Sequence, residues 1–228
     1  MSLPSPLVQR LREEADIMFS LRHPNCVQLM GTVTSPPCLV TEYCSRGSLT
    51  DCLKAAKRDP GKAAAMTWHL RLSLALDAAK GMLYLHTRSP PILHRDLKSP
   101  NLLVDRNWDC KVVDFGLSTW LGFEGREDSS AEATNPRWLP PEVIKGEGAI
   151  LASDVYAFGV VLWELVSWEI PYAGLNTWLL MQRCWAHEPA ERPSFNAVAA
   201  QLRDLLRRLE DAGCALGMRA GSQAVRLA

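Results

Sequence analysis

The first feature of the chain is the spacing of its apolar residues, which separates helical from extended segments. Between residues 7 and 21, apolar side chains recur near helical spacing with charged residues between them, which predicts an amphipathic helix. His23-Pro24-Asn25 ends that helix. Two short extended runs follow, at residues 27–33 and 39–43, and a proline-containing turn separates them. The chain is therefore predicted to begin with one helix and a two-stranded hairpin.

Beyond Gly47 the pattern becomes helical. Apolar positions between residues 68 and 86 recur every three or four residues, which predicts a long helix. Residues 153–168 are apolar nearly all round, as in a buried helix. The last clear helix is predicted at about residues 194–209, and the Gly-, Ala- and Ser-rich stretch at 213–228 is predicted to be a disordered tail. The fold class is thus α+β, with helices dominating.

Composition narrows the partners without identifying any. The 228 residues include 25 basic and 25 acidic side chains, so no net charge favours nucleic acid or a membrane surface. The seven cysteines are scattered and show no CxxC spacing, which is typical of reduced thiols. No segment has the pattern of a signal peptide or a bilayer-spanning helix. We therefore expect a cytoplasmic protein that binds neither nucleic acid nor membrane.

The strongest signal is a polar motif in the middle of the chain. His94-Arg95-Asp96-Leu97-Lys98-Ser99-Pro100-Asn101 is followed by Asp114-Phe115-Gly116. The two segments match the catalytic loop and the metal-binding motif of protein kinases, at the expected separation. The chain resembles the eukaryotic protein kinase superfamily from the regulatory helix of the small lobe to the last helix of the large lobe.

This resemblance implies a role for each polar residue of the motif, because phosphoryl transfer depends on positioning and on charge neutralisation. Asp96 would accept or orient the proton of the attacking hydroxyl, and Lys98 would neutralise charge on the transferred group. Asn101 and Asp114 would hold magnesium ions that bridge the phosphates of ATP. The implied catalytic residues are Asp96, Lys98 and Asn101, and the implied metal ligands are Asn101 and Asp114.

Further motifs indicate a subgroup and a nucleotide pocket. Thr41-Glu42-Tyr43 and Ser45-Arg46-Gly47-Ser48-Leu49 resemble the Raf-like kinases that head mitogen-activated cascades, and Lys98 is the serine/threonine form. Thr41 would be the gatekeeper, and Leu103 would form the floor of the adenine pocket. The resemblance also places Glu14 as the regulatory-helix glutamate. The implied cofactor-binding residues are Thr41, Glu42, Cys44, Leu103, Asp114 and Glu14.

Matching positions also predict structural contacts in the large lobe and between the lobes. Glu142, in the place of the family's Ala-Pro-Glu motif, would pair with Arg192, and Asp154 would cap the backbone of the catalytic loop. A hydrophobic spine would join the lobes through Met18, Leu29, Phe115 and His94.

Three departures from the family pattern stand beside these matches. The sequence contains no Gly-x-Gly-x-x-Gly loop, and its first lysine is Lys54, so Glu14 has no family-type lysine partner and is expected to face water. A deletion is predicted near residues 173–183, and Asn135 stands where the family usually has threonine. The expected organisation is a partial kinase domain at 1–212, comprising a small-lobe remnant at 1–43 and a large lobe at 44–212.

Two kinds of function are consistent with these features. One is an ATP- and Mg²⁺-dependent kinase that phosphorylates serine or threonine of a protein substrate in a signalling cascade. The alternative is a catalytically impaired, kinase-like interaction module or a truncated fragment, which the missing loop and lysine favour. Arg95 before Asp96 suggests regulation by an upstream activating kinase. The candidate acceptors are Ser129, Ser130 and Thr134.

Overall fold

Among the described residues, helices are the main regular structure and the strands are short. A computed structural model of the chain describes residues 6–121, 136–167, 180 and 183–223. The α-helices are α1 (Pro6–Ser20), α2 (Leu49–Arg58), α3 (Pro60–Ala65), α4 (Trp68–His86), α5 (Pro141–Ile144), α6 (Leu151–Val166) and α7 (Phe195–Gln223). The strands are β1 (Leu29–Thr34), β2 (Pro37–Thr41), β3 (Ile92–Leu93), β4 (Leu102–Val104), β5 (Cys110–Val112) and β6 (Thr119–Trp120). Single 3₁₀ turns occur at Ser99–Asn101, Pro136–Trp138 and Pro189–Glu191.

The start of the chain folds as predicted, with helix α1 beside the β1–β2 hairpin. The strands pair antiparallel from Leu29 opposite Thr41 to Thr34 opposite Pro37. Helix α1 buries Ile17 and Met18. A groove of about 400 Å³ separates the rest of the helix from the hairpin.

The core of the larger part is built around α4 and α6. Helix α4 begins at its cap Thr67, whose hydroxyl accepts a hydrogen bond from the Leu70 N–H, and α4 packs against α7. The Phe158 ring of α6 meets the Phe195 ring edge-on at 5.3 Å between centroids. The prediction of a buried helix at α6 is confirmed.

Two short strand pairs frame the segment that carries the polar motif. Strand β3 pairs with β6, and β4 pairs with β5 so that Leu103 lies opposite Lys111. The catalytic-loop motif lies between β3 and β4, and Asp114 follows β5. The catalytic-loop motif and Asp114 are therefore both attached to the β4–β5 pair.

The end of the chain differs from the prediction. The backbone stays helical to Gln223, whereas the sequence pattern predicted an end near residue 209 and a disordered tail over 213–228. The reason is that this stretch contains no proline, and an isolated glycine costs a helix only about 1 kcal/mol. The predicted deletion near 173–183 and the last five residues of the tail fall almost wholly outside the described residues. Among the described residues, no helix combines the length and apolar character needed to cross a bilayer.

Candidate active site

The catalytic-loop residues meet around the carboxylate of Asp96. Lys98 Nζ lies 2.7 Å from Asp96 Oδ2. The Asn101 side-chain amide donates to the same oxygen at 2.9 Å and also to the Asp96 carbonyl at 2.9 Å. Two donors on one oxygen fix the orientation of the carboxylate. The structure therefore brings Asp96, Lys98 and Asn101 together.

Asp114 is placed beside this loop by the backbone. The Val113 N–H donates to the Asn101 carbonyl at 3.1 Å, which ties the end of β5 to the loop. Asp114 itself has φ of 67°, in the left-handed region that a side chain occupies only at a cost. Its Oδ1 lies 3.4 Å from the Gly116 N–H. Strained backbone of this kind is common where a side chain must be aimed at a ligand.

The donor atoms at this place suit magnesium. Asp114 offers carboxylate oxygens and Asn101 an amide oxygen, and Mg²⁺ prefers oxygen ligands in octahedral geometry. Because two side chains cannot supply six ligands, phosphate and water oxygens would complete the shell. The residues present therefore fit a magnesium–nucleotide complex.

A buried carboxylate from helix α6 holds the catalytic loop from behind. Asp154 accepts the His94 and Arg95 backbone N–H groups, each at 2.9 Å, and His86 Nε2 lies 2.9 Å from Asp154 Oδ2. Burial opposes ionisation of Asp154, but the hydrogen bond and charge of His86, together with His94, lower its pKa below the usual value. The prediction that Asp154 caps the catalytic-loop backbone is confirmed.

His94 joins the loop to the Phe115 side chain. Its Nε2 lies 3.1 Å from the Val113 carbonyl, which can only accept, so Nε2 carries the proton. Its Nδ1 then accepts from the Asp96 N–H at 3.3 Å. The His94 and Phe115 rings lie 5.5 Å apart, and both side chains are buried, as are the other two predicted spine residues, Met18 and Leu29.

Glu14 lies half-buried beside Gly116 at the edge of this site, and not fully in water as expected of a carboxylate without a lysine partner. Its Oε2 would lie 3.5 Å from a Cβ placed on Gly116, and its carboxylate lies near the Phe115 backbone. Partial burial and the neighbouring charge of Asp114 raise the pKa of Glu14, more than the nearby Phe115 backbone lowers it.

Two of the predicted hinge side chains, Glu42 and Cys44, are engaged within the protein. Thr41 ends β2, and the Glu42 carboxylate points to the Gln28 backbone and to Lys111. The Cys44 side chain is buried, and burial raises the pKa of its thiol. Leu103, in β4, is half-buried. A nucleotide at this edge would therefore meet hinge backbone groups and not the Glu42 carboxylate or the Cys44 thiol.

The large-lobe ion pair is present as predicted. Arg192 Nη1 and Nη2 donate to Glu142 Oε1 and Oε2 at 2.6 Å and 2.9 Å. The Ser153 hydroxyl donates to Glu142 Oε1 at 2.8 Å. This pair ties α5 to the segment that follows the 3₁₀ turn Pro189–Glu191. The candidate acceptors Ser129, Ser130 and Thr134, and Asn135, lie outside the described residues.

A hydrogen-bond relay below the catalytic loop was missed from the sequence. The Ser99 hydroxyl donates to Glu164 Oε1 at 2.6 Å, so Thr50 must donate its own hydroxyl proton to Ser99, 2.6 Å away. Trp138 Nε1 donates to the other Glu164 oxygen at 3.1 Å. Sequence spacing gave no indication of this relay, because Thr50 lies 49 residues and Glu164 lies 65 residues from Ser99.

Comparison with known proteins assigns the family. The family model "Protein tyrosine and serine/threonine kinase" matches residues 4–179, which include every residue of the site described above except Arg192. The chain belongs to this protein kinase family. Its α+β architecture is that of a kinase domain dominated by the helical large lobe.

Several curated kinases are similar to the chain over most of its length. "Probable serine/threonine-protein kinase drkD" of Dictyostelium discoideum is 44% identical over 83% of this chain and 16% of its own length. "Serine/threonine-protein kinase CTR1" of Arabidopsis thaliana is 43% identical over 88% of this chain and 27% of its own. "Probable serine/threonine-protein kinase SIS8" of Arabidopsis thaliana is 39% identical over 89% and 22%. The chain thus spans between about a sixth and a quarter of these relatives.

Proposed function

We propose that the protein transfers the γ-phosphoryl group of ATP to a serine or threonine hydroxyl of a protein substrate. The observation that carries this proposal is the Asp96 carboxylate held by Lys98 and Asn101, with Asn101 tied through Val113 to the strand that leads into Asp114. Phosphoryl transfer needs an acceptor-orienting carboxylate, a nearby cation and metal-binding oxygens in one place. These residues supply all three.

Each side chain has a distinct task in this proposal. Asp96 orients the substrate hydroxyl and accepts its proton as the new P–O bond forms and the bond to ADP breaks. Lys98 stabilises negative charge on the transferred group. Asn101 and Asp114 hold magnesium, which when bound neutralises phosphate charge. The hinge backbone at residues 42–44 and Leu103 bind the adenine, and Glu14 borders the phosphate side of the pocket beside Gly116.

The setting of the reaction is part of the same proposal. The named relatives are serine/threonine-protein kinases, and Lys98 is the residue that this class carries near its catalytic aspartate. We propose that the protein acts in the cytoplasm within a Raf-like cascade. An upstream kinase would phosphorylate it next to the Arg95 guanidinium.

The nucleotide site is tested first, by thermal melting of the 228-residue chain with and without Mg²⁺–ATP. A ligand at a hundredfold excess over its Kd stabilises the folded state by about 2.7 kcal/mol, so the melting temperature is expected to rise. Asp114→Asn should abolish the rise. Asp211→Asn, at an exposed position of α7, is the matched control and should keep it.

Transfer is then measured with γ-labelled ATP and a serine-rich protein acceptor. Asp96→Asn is expected to reduce the rate by about 10²- to 10⁴-fold while keeping the nucleotide-induced melting shift, because a general base contributes about that much. A cooperative melt without any shift in the unmodified chain would refute the enzyme and leave the interaction module.

A further inference from the structure

Lys111 joins the strand before Asp114 to the hinge. Its Nζ lies 3.1 Å from Glu42 Oε1 and 3.0 Å from Glu42 Oε2, and its side chain is only 13% exposed. Lys111 belongs to β5, and Asp114 follows three residues later. No role in the motif accounts for this lysine.

Glu42 is also locked to the segment before β1. Its N–H donates to the Gln28 carbonyl at 3.0 Å, and the Gln28 N–H donates back to Glu42 Oε1 at 2.9 Å. The same segment is fixed to β5, because the Val27 N–H donates to the Val112 carbonyl at 2.8 Å. Residue 42 is therefore attached to β5 by two routes, one through Lys111 and one through Gln28.

The charge of Lys111 also supports the attachment of Glu42 to Gln28. Glu42 Oε1 accepts from both Lys111 and Gln28, so the ammonium group keeps the carboxylate aimed at the Gln28 N–H. Without Lys111 a partly buried carboxylate would keep a single backbone donor and would gain by turning to water. Both contacts to Gln28 would then loosen together.

We propose that Lys111 is a positioning residue that fixes the hinge backbone for adenine binding. The proposal rests on the nucleotide site proposed above. Backbone N–H and C=O groups fix the orientation of a planar ligand only when they are held rigidly. Lys111 holds these hinge groups in place by binding the Glu42 side chain, which points toward Lys111 and Gln28.

The test compares Lys111→Met, Lys111→Arg and Lys80→Met in the full chain. Lys80 pairs with Asp77 on α4 at 2.9 Å and controls for the loss of a lysine ion pair elsewhere. Amide hydrogen exchange at Gln28 and Glu42 is followed by NMR, and adenosine affinity by calorimetry. Adenosine is used because it lacks phosphates and so reports on the hinge without magnesium.

Lys111→Met is expected to speed exchange of both amides by about tenfold and to weaken adenosine binding by a similar factor, as for loss of one charge-assisted hydrogen bond. Lys111→Arg keeps the donor and should restore both values, and Lys80→Met should change neither. A merely structural lysine would lower the melting temperature without this selective change.

Unchanged exchange at Gln28 and Glu42 in a folded Lys111→Met protein would overturn the proposal. So would faster exchange with unaltered adenosine affinity. Failure of the unmodified protein to bind adenosine would instead overturn the nucleotide site itself. The exchange measurement would then still decide whether Lys111 fixes the hinge.

Discussion

At the scale of single residues, Arg192 makes the contact whose loss should cost most. It neutralises the buried Glu142 carboxylate and also donates to the backbone carbonyls of Ala152, Ala186 and His187. Removing one partner of a buried pair leaves an uncompensated charge. Arg192→Met is therefore expected to lower the free energy of unfolding by about 3–5 kcal/mol.

Urea unfolding at neutral pH measures this change. The control is Arg207→Met, which breaks an exposed pair with Asp204 and should alter the free energy of unfolding little. Equal effects of the two substitutions would show that burial does not strengthen the Arg192 pair.

The same pair predicts a pH dependence. Burial would raise the pKa of Glu142, but hydrogen bonds from Arg192 and Ser153 hold it below its ordinary value of 4.5. The unfolded chain then takes up this proton at higher pH than the folded chain. The contribution of Glu142 is complete above about pH 4.5 and is lost as pH falls through the folded pKa.

Urea unfolding of the unmodified protein and of Glu142→Gln between pH 3 and pH 7 tests this. The stability difference between the two proteins should be constant near neutrality and should shrink in acid. A difference that stays constant down to pH 3 would contradict a lowered pKa.

The motif residues could be predicted because they lie close in sequence. Asp96, Lys98 and Asn101 fall within six positions, and a family pattern specifies their roles. Glu42 and Lys111 are 69 residues apart, and nothing in spacing or charge pairs them before the fold does.

At the scale of elements, helix α4 approaches the backbone before β1 very closely at Gly81. A Cβ on Gly81 would lie 2.5 Å from the Asn25 carbonyl oxygen and 2.8 Å from a Val112 methyl group. Gly81→Ala must push α4 away from this segment, so we expect a loss of about 1–3 kcal/mol in the free energy of unfolding.

Gly31→Ala in β1 is the matched control, because a Cβ there meets nothing within 4 Å. Both variants are compared by urea unfolding. An equal loss in the two proteins would contradict a specific contact at Gly81.

Helices with a strong hydrophobic period were predicted well, whereas the residues at which elements begin and end were predicted less well. The bounds of α4 agree with the pattern because Thr67 caps its start. The end of α7 was wrong because small residues and glycines weaken a helix without stopping it. Hairpin bounds shifted by one or two residues, since strand pairing and not composition sets where β1 and β2 begin.

At the scale of the molecule, stability is expected to differ between the two ends of the fold. Helix α1 and the hairpin expose four large apolar side chains, including Phe19 at 71% and Met30 at 69% exposure. In α4, by contrast, Leu74, Ala79, Met82 and Leu85 are completely buried. Regions with little buried apolar surface open more easily.

Native-state hydrogen exchange should therefore show the hairpin amides of residues 29–41 opening well before those of α4. Exchange of both groups at the same free energy would mean that the protein unfolds as one unit. Such a result would indicate that the groove beside α1 does not weaken the hairpin.

The contact from Asp154 to the backbone of the catalytic loop has a consequence for engineering. The carboxylate that shapes the loop comes from the first turn of a core helix, so the packing of the interior sets the geometry of the reaction centre. A directed-evolution campaign that rewards phosphotransfer would therefore also reward tight packing around α6. Surface loops could be exchanged freely in such a library, whereas conservative changes deep inside would be rejected as if they were active-site changes.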